Sequence, residues 1–356
     1  AVNEALLSGL LSLSSSRMRL PHRLVCCLLS FVTISLLLFY AKDDSLSEPC
    51  AHSREANQTL HQIINTIPIN RLVLRSPSLE EGKKYGMVIL VITSHREREE
   101  RKQIRSSWAD ANESKMIEAG KALVIFVVGR SSWNELESNA NDDLLEIDVE
   151  ETYRNLVYKI EAAFRWAREK TKSEFVAKID SDTVVHVDRL YDQLKRHQKD
   201  HSTNWLACFH YPHSPPIRDK CSPWYISEQD YSLDSFPNYC NGPGYVMERS
   251  GFEKIVEGMK SHKVIEVEDA FFTGIVARDR VDLVCLQDVI VPQYTEYSMC
   301  DSSLGPSLSI LPTHYQFGAS KLDKNLTAAW KRLKSPFCHN IFTRIYYFFS
   351  KLFTCS

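Results

Sequence analysis

The 356-residue chain has no basic excess: 43 Lys and Arg stand against 45 Asp and Glu, a net charge of −2. Nucleic-acid binders normally carry a strong basic surplus, so a nucleic-acid partner is not expected. Paired Cys-x-x-Cys spacing is also missing from the 10 cysteines, which disfavours a zinc-stapled module. No internal repeat is visible. The chain lacks an initiator Met and begins at Ala1, while Met18 stands just before a basic cluster, so residues 1–17 read as an upstream extension with no structural role.

What is present begins with a membrane signal. Leu24 to Tyr40 is uncharged and mostly apolar. As a helix rising ~1.5 Å per residue it spans roughly 25 Å, enough for a thin secretory membrane. Arg17, Arg19 and Arg23 precede it, and Asp43, Asp44 and Glu48 follow it. The positive-inside rule therefore puts the N-terminus in the cytosol and the remainder in the lumen. A cleaved signal peptide is the alternative, but the run exceeds a usual signal core and no small-x-small site follows Tyr40. The expected layout is a cytosolic tail (1–23), an uncleaved signal anchor (24–40), a polar stem (41–84), a folded head (85–338) and a C-terminal tail (339–356).

Cysteines agree with a luminal head. Outside the apolar run lie Cys50, Cys208, Cys221, Cys240, Cys285, Cys300, Cys338 and Cys355, an even and scattered set that suits disulfides of unreadable connectivity. Sequons at Asn57, Asn112 and Asn325 fall on the same side and are candidate glycan sites.

Met87 to Ile92, Ala122 to Val128 and Glu174 to Ile179 read as buried strands, and Arg96 to Trp108 as a charged helix. Tyr153 to Lys170 shows Leu156, Val157, Ile160, Phe164 and Ala167 at helical spacing, with Lys159, Glu161, Arg165 and Arg168 between them. Strands alternating with helices predict an α/β sandwich with a mostly parallel sheet. Its ligand belongs outside the carboxyl ends of the strands. The second half, richer in turns, aromatics and cysteines, reads as an acceptor-binding region grafted onto a nucleotide-binding half. Ile341 to Phe353 is rich in aromatics and suits a small packing helix better than a membrane contact.

Four segments could carry chemistry. Asp180 and Asp182 end an apolar strand and offer oxygen ligands to a divalent cation, although Asp-x-Asp is also a common solvated turn. Arg101 and Arg105 share one helix face and could meet a diphosphate, or belong to a solvated charged helix. Phe236 to Tyr245 contains Gly242 and Gly244, which permit a tight turn and close approach of backbone to ligand; a plain disulfide-tethered loop would look similar. Glu266 to Gly274 contains Glu268 and Asp269, where a carboxylate among aromatics can serve as general base, or simply complement a helix N-terminus.

In order and wording these segments resemble glycosyltransferase family 31, the β-1,3-galactosyltransferase and N-acetylglucosaminyltransferase group. Its RxxIRxTW motif is similar to Arg101–Trp108, with Ser107 for Thr. Its Tyr-x-Asn-Leu-x-x-Lys helix is matched by Tyr153, Asn155, Leu156 and Lys159. Its DxD strand resembles Lys178 to Val185, with Ser181 where Asp is frequent. Its YPxYxxGxGY segment resembles Phe236 to Tyr245, preceded by Trp224 and Tyr225, and its EDVxxG motif resembles Glu268 to Gly274, with Ala270 for Val and one extra residue before the glycine. The likeness covers about Tyr85 to Cys338.

The resemblance implies a GT-A fold, Mn²⁺ and inverting transfer of a hexose, most plausibly galactose, from a UDP-sugar to a glycan on a glycoprotein or glycolipid, by a type II protein of the Golgi membrane. It implies Asp182 as direct metal ligand, Asp180 holding nucleotide and metal, and His314 as a further metal contact; an isolated His would otherwise read as structural. It further implies Arg101, Arg105 and Lys159 on the donor side, Asp269 as base, and Trp224, Tyr225, Tyr239, Gly242 and Gly244 on the acceptor side. Ser181 and Ala270 leave the essential carboxylates intact, while the extra residue leaves the helix geometry before Gly274 open. Transfer of N-acetylglucosamine or N-acetylgalactosamine, a non-catalytic glycan-binding or chaperone-like relative, and a homodimer stay open. A two-metal phosphodiesterase would need a denser cluster of His and carboxylates than the sequence offers.

Overall fold

In the computed structural model, residues 68–131, 137, 140–200, 203–285, 289, 300–301, 305–313 and 325–335 are described, all within the unit Ser53–Ser356. The apolar run 24–40, the tail 339–356, Asn57, His314, Cys50, Cys338 and Cys355 lie outside the described residues. Among the described residues no helix is long and apolar enough to cross a membrane.

The chain enters through α1 (Ile69–Leu72) and β1 (Val73–Arg75), then β2 (Lys84–Ile92), α2 (Arg98–Arg105), α3 (Lys115–Glu118), β3 (Ala122–Arg130) and β4 (Leu144–Glu150). Next come α4 (Leu156–Lys170), β5 (Lys172–Asp180), β6 (Thr183–Val185) and α5 (Val187–Asp200). The second half supplies β7 (Trp205–Cys208), β8 (His210–Tyr211), β9 (Tyr239–Cys240), β10 (Gly244–Glu248), α6 (Arg249–Gly258), a π-helix (Ala270–Val276) and β11 (Asp282–Cys285). It closes with β12 (Cys300–Asp301), β13 (Gly305–Pro306), β14 (Ile310–Pro312) and α7 (Leu326–Lys334).

The strongest β-formers make the centre of the sheet. Met87 to Val91 are fully buried, as are Phe175 to Ala177 and Ile179. Continuous apolar runs of this kind suit parallel strands covered on both faces. The order is β1-β4-β3-β2-β5-β10-β7-β11. Strands β4, β3, β2 and β5 are mutually parallel. β1 is antiparallel to β4, and β10 is antiparallel to β5 and β7. The chain turns from β2 to β3 on one side and later adds β5 on the other, so the gap beyond Ile92 and Asp180, which are in register, is a topological switch point.

Four details differ from the sequence reading. Ile69 and Leu72 are buried and β1 joins the sheet edge, so residues read as stem before Tyr85 are part of the fold. The helix read over Arg96 to Trp108 is shorter, and Trp108 itself is fully buried. Strand β3 runs through Gly129 to Arg130; a Cβ at Gly129 would sit 2.8 Å from the Glu151 carboxylate, which accepts its N–H at 2.6 Å. Helix α4 is buried on nearly every side, including Lys159, Glu161 and Arg165. It lies between the sheet and a second layer, where the Phe164 ring meets Phe252 at 5.6 Å and Phe272 at 5.3 Å.

The second half extends the same sheet through β10, β7 and β11. A Cys208–Cys240 disulfide joins β7 to β9. Cys285 is also disulfide-bonded. Asn112 is exposed in a turn, and Asn325 caps α7, its side-chain oxygen accepting from the N–H groups of Thr327 and Ala328.

Candidate active site at the ends of the parallel strands

A cleft of about 430 Å³ opens at the switch point, lined by Thr93 to Glu97 beyond β2, by Glu151 to Tyr153, and by Leu156, Lys159, Asp180, Ser181 and Asp182. Its walls are fixed by ion pairs. Glu97 accepts from the Ser94 N–H at 2.6 Å and from the Ser181 hydroxyl at 3.0 Å, drawing the loop after β2 onto the Asp180–Asp182 turn. Ser181 thus has a local reason to be there: a carboxylate in its place would face Glu97.

Arg101 and Arg105 are corrected from diphosphate contacts to structural cations. Arg101 is fully buried; its Nε and Nη2 donate to Glu137 at 2.8 and 2.6 Å, and its Nη1 donates to the Thr93 hydroxyl at 3.0 Å and to the Ser94 carbonyl at 2.5 Å. Arg105 donates to Asp143 at 2.7 and 2.8 Å and to Glu137 at 2.9 Å. A guanidinium so engaged would leave a buried carboxylate unpaired if it turned to a ligand. Burial pushes Glu137 up, but the two guanidiniums outweigh it and hold the carboxyl low. Arg101 shapes the cleft only by gripping its Thr93–Ser94 wall. Lys159 lies at the cleft but points inward, donating to the Thr93 carbonyl at 2.8 Å and to Glu151; burial lowers its pKa against the pull of Glu151.

Asp180 and Asp182 are half-buried at the mouth of β5. Thr313, which follows β14, donates its N–H at 2.9 Å and its hydroxyl at 2.6 Å to the Asp182 carbonyl. Its neighbour His314 lies outside the described residues. Among the described residues no three His, Cys, Asp or Glu side chains gather as a metal cluster. Two carboxylates in an all-oxygen setting still fit a hard divalent cation of the kind that completes its shell with phosphate and water. They suit Mn²⁺ or Mg²⁺ better than zinc.

Beyond Asp180 the site continues through Lys178, a charge inside an otherwise apolar strand. Its Nζ lies 2.7 Å from Asp180 Oδ1, 2.7 Å from Glu268 Oε1 and 2.7 Å from the Gly242 carbonyl. Burial acts to lower the ammonium pKa, and the two carboxylates overcome it and raise it. Glu268 is buried, with Oε2 accepting from the Tyr245 hydroxyl at 3.3 Å. Asp269 next to it starts the π-helix and accepts the Ala270 N–H at 2.8 Å. Burial and the Glu268 charge push Asp269 up to about 7, against the Ala270 N–H and Lys178.

The π-helix resolves the extra residue before Gly274. A π-turn holds one more residue than an α-turn, so the insertion is absorbed without moving Asp269 off the N-terminus. Thr273 pins the turn by donating to the Asp269 carbonyl at 2.5 Å while accepting the Cys240 N–H at 2.8 Å. A Cβ on Gly274 would come within 3.0 Å of Tyr239 Cβ, so glycine lets the helix lie against β9.

The acceptor-side residues divide. Tyr239 lies near Asp269, whose charge adds to burial in pushing its phenol up to about 12. Trp224 is 51% exposed and its indole hydrogen-bonds Tyr153, which is 49% exposed, lines the cleft and feels Asp269 and Glu268. Tyr225 is half-buried in a turn, its N–H on the Ser222 carbonyl. Neither Gly242 nor Gly244 has a positive φ. Gly242 leaves room for the Asp269 carboxylate, 3.2 Å from where a Cβ would stand. Gly244 makes room for Ile179 and Ile310, each 3.1 Å from such a Cβ, which corrects it from ligand approach to core packing. A larger cleft of about 650 Å³ beside Gly274, Arg278 and His210 contains neither Asp180 nor Asp269.

Residue-by-residue reading passed over Lys178, Glu97 and Tyr153 as site residues. For Lys178 a signal existed: a lysine in a buried strand needs carboxylate partners.

The family model described as Galactosyltransferase matches residues 99–284, from α2 to β11. The chain belongs to this galactosyltransferase family. Its family makes it a glycosyltransferase, and the matched span contains the Asp180–Asp182 turn, Lys178 and Asp269. Beta-1,3-galactosyltransferase 5 of Homo sapiens is 29% identical over 223 residues, 60% of this chain and 70% of that protein. Beta-1,3-galactosyltransferase 1 of Mus musculus is 29% identical over 238 residues, 63% of this chain and 72% of that protein. Among solved structures, the mannosyltransferase PcManGT from Pyrobaculum calidifontis in complex with GDP-Man and Mn²⁺ overlaps with a TM-score of 0.35 at 14% identity, covering 67% of this chain and 64% of that one. Mouse xyloside xylosyltransferase 1 overlaps at 0.31 and 8% identity, covering 58% and 87%.

Proposed function

We propose that this chain is an inverting β-1,3-glycosyltransferase that moves galactose from UDP-galactose to a hydroxyl of a glycan, as a type II protein of the Golgi membrane. The observation that carries the reading is Asp269, a carboxylate held near neutrality and coupled to the Asp180 end of the cleft. A general base works best with a pKa near the working pH. A sugar hydroxyl is a poor nucleophile, so Asp269 would accept its proton as the oxygen attacks the anomeric carbon. Attack from the face opposite the diphosphate turns an α-linked donor into a β product with no covalent intermediate.

Asp180 and Asp182, with His314 as a third candidate, would hold Mn²⁺, which supplies charge stabilisation for the leaving diphosphate. Among the described residues, Asp180, Glu268 and Asp269 gather around the ammonium of Lys178, an acidic setting that suits a cation. The cleft walls at Thr93–Glu97 and Tyr153 would enclose the nucleotide and exclude water. Tyr239, and the Trp224–Tyr153 pair at the rim, would meet the acceptor sugar.

The test is transfer by the luminal segment 42–356 from UDP-galactose, UDP-GlcNAc and UDP-GalNAc onto a glycan array, with Mn²⁺ or EDTA, beside Asp269→Asn. Metal-dependent transfer from UDP-galactose, lost in Asp269→Asn, supports the reading. Transfer from another donor changes the sugar and keeps the class. A folded protein that binds glycans and transfers from no donor overturns the enzyme reading.

A further inference from the structure

Lys178 is a buried charge at the centre of the site to which the mechanism above gives no step. It sits on β5 with 1% of its side chain exposed, and its three N–H donors meet three acceptors at 2.7 Å each: Asp180, Glu268 and the Gly242 carbonyl. Those acceptors belong to three separate segments. Asp180 ends the parallel strand at the donor cleft; its own N–H donates to the Pro243 carbonyl at 3.0 Å, tying it again to the turn before β10. Gly242 in that turn is the wall against which the Asp269 carboxylate rests. Glu268 is covalently next to Asp269, the residue that caps the start of the π-helix.

We propose that Lys178 is a positioning residue that locks the donor-side carboxylate Asp180 to the Gly242 turn and the Glu268–Asp269 segment, setting the separation between the nucleotide end of the reaction and its base. The inference rests on Asp269 being that base. An ammonium presents its donors along three diverging directions, and it can join three acceptors that no planar guanidinium could join at the same distances. The tie is therefore geometric as well as electrostatic. Single-displacement chemistry demands it, because the attacking oxygen, the anomeric carbon and the leaving oxygen must align while their holders come from segments far apart in sequence. A misplacement near 1 Å is enough to lower such a rate about 100-fold.

The experiment uses the full chain carrying Glu268→Gln, Lys178→Arg and Asp269→Asn, each with a melting curve. Affinity for UDP and Mn²⁺ comes from calorimetry, and kcat and donor KM for transfer come from initial rates. Glu268→Gln weakens the base-side arm and keeps Lys178 on Asp180; because it also removes a charge that raises Asp269, kcat is compared on the plateau above pH 7, where the base is deprotonated in both proteins. It should bind UDP with Mn²⁺ within about 2-fold of wild type while kcat falls about 100-fold. Lys178→Arg keeps the charge and should lose transfer to a similar degree. Wild-type kcat in both variants, with Asp269→Asn inactive, overturns the positioning role and leaves the base standing. A kcat loss that only follows a matching loss of UDP affinity also overturns it, because the lysine would then serve the donor side alone. Wild-type transfer by Asp269→Asn removes the base itself, and the proposal with it. If Lys178→Arg does not fold, Glu268→Gln decides.

Discussion

Two buried ionic networks lie within the same molecule and serve different ends. Around α2, three guanidiniums, Arg101, Arg105 and, at 3.4 Å, Arg98, face two carboxylates, Glu137 and Asp143. At the end of β5, the single ammonium of Lys178 faces Asp180 and Glu268 and is felt by Asp269. The first network gives every carboxylate a guanidinium and holds Glu137 ionised. In the second, among the described residues, the carboxylates outnumber the ammonium they share, and burial with the Glu268 charge leaves Asp269 able to take a proton near pH 7. A fully paired buried network fastens a fold, whereas a deficit stores the capacity to bind a cation or move a proton.

The sharpest way to break the comparison is to exchange the consequences of mutation. Asp269→Asn should lower kcat/KM for transfer by roughly 10²–10⁴-fold, the range for removing a general base, with no loss in melting temperature. Comparable instability in that variant would mean Asp269 belongs to the fastening class. Arg101→Met should do the reverse: it takes from Glu137 its two shortest bonds and leaves it only Arg105 and Arg98, and should cost about 3 kcal/mol in denaturant unfolding, while kcat per folded molecule stays near wild type. A selective kcat loss at full stability would restore Arg101 to the donor site.

The charge deficit also fixes the pH response. Asp269 must be deprotonated to accept a proton, and its pKa is pushed up to about 7. The kcat/KM for transfer should therefore rise about tenfold per pH unit below 7 and flatten above it. A flat profile from pH 5 to 8 would show that burial and the Glu268 charge do not bring the base into this range. Smaller still is Gly274→Ala, where a Cβ would stand 3.0 Å from Tyr239 Cβ. A cost of about 1–3 kcal/mol by thermal unfolding is the overpacking range, with part of the effect showing as a raised acceptor KM through Tyr239.

Much of this was readable beforehand. The apolar runs around Met87, Ile125 and Phe175 announced buried parallel strands, and Asp180 at the end of one of them located the cleft, because side-chain period and strand polarity are local properties. Other readings failed for a shared reason. Arg101 and Arg105 lie on one helix face, as spacing said, but that face meets Glu137, 36 residues from Arg101. Gly242 and Gly244 looked alike in sequence; one clears a path for Asp269 and the other for Ile179 and Ile310. Lys159 and Glu161 fall between the apolar positions of α4 and are buried all the same, because a second layer covers the helix.

The amino-acid sequence by itself determined the α/β alternation, the strand-end carboxylates and the family to which they belong, since these depend on hydrophobic period and on the order of motifs along the chain. Tertiary structure alone decided which charges are neutralised and which remain in deficit. It also decided that an extra residue before Gly274 becomes a π-turn that keeps Asp269 in place. Both outcomes depend on partners that are distant in sequence and on the dielectric around them, and neither quantity is carried by a local pattern.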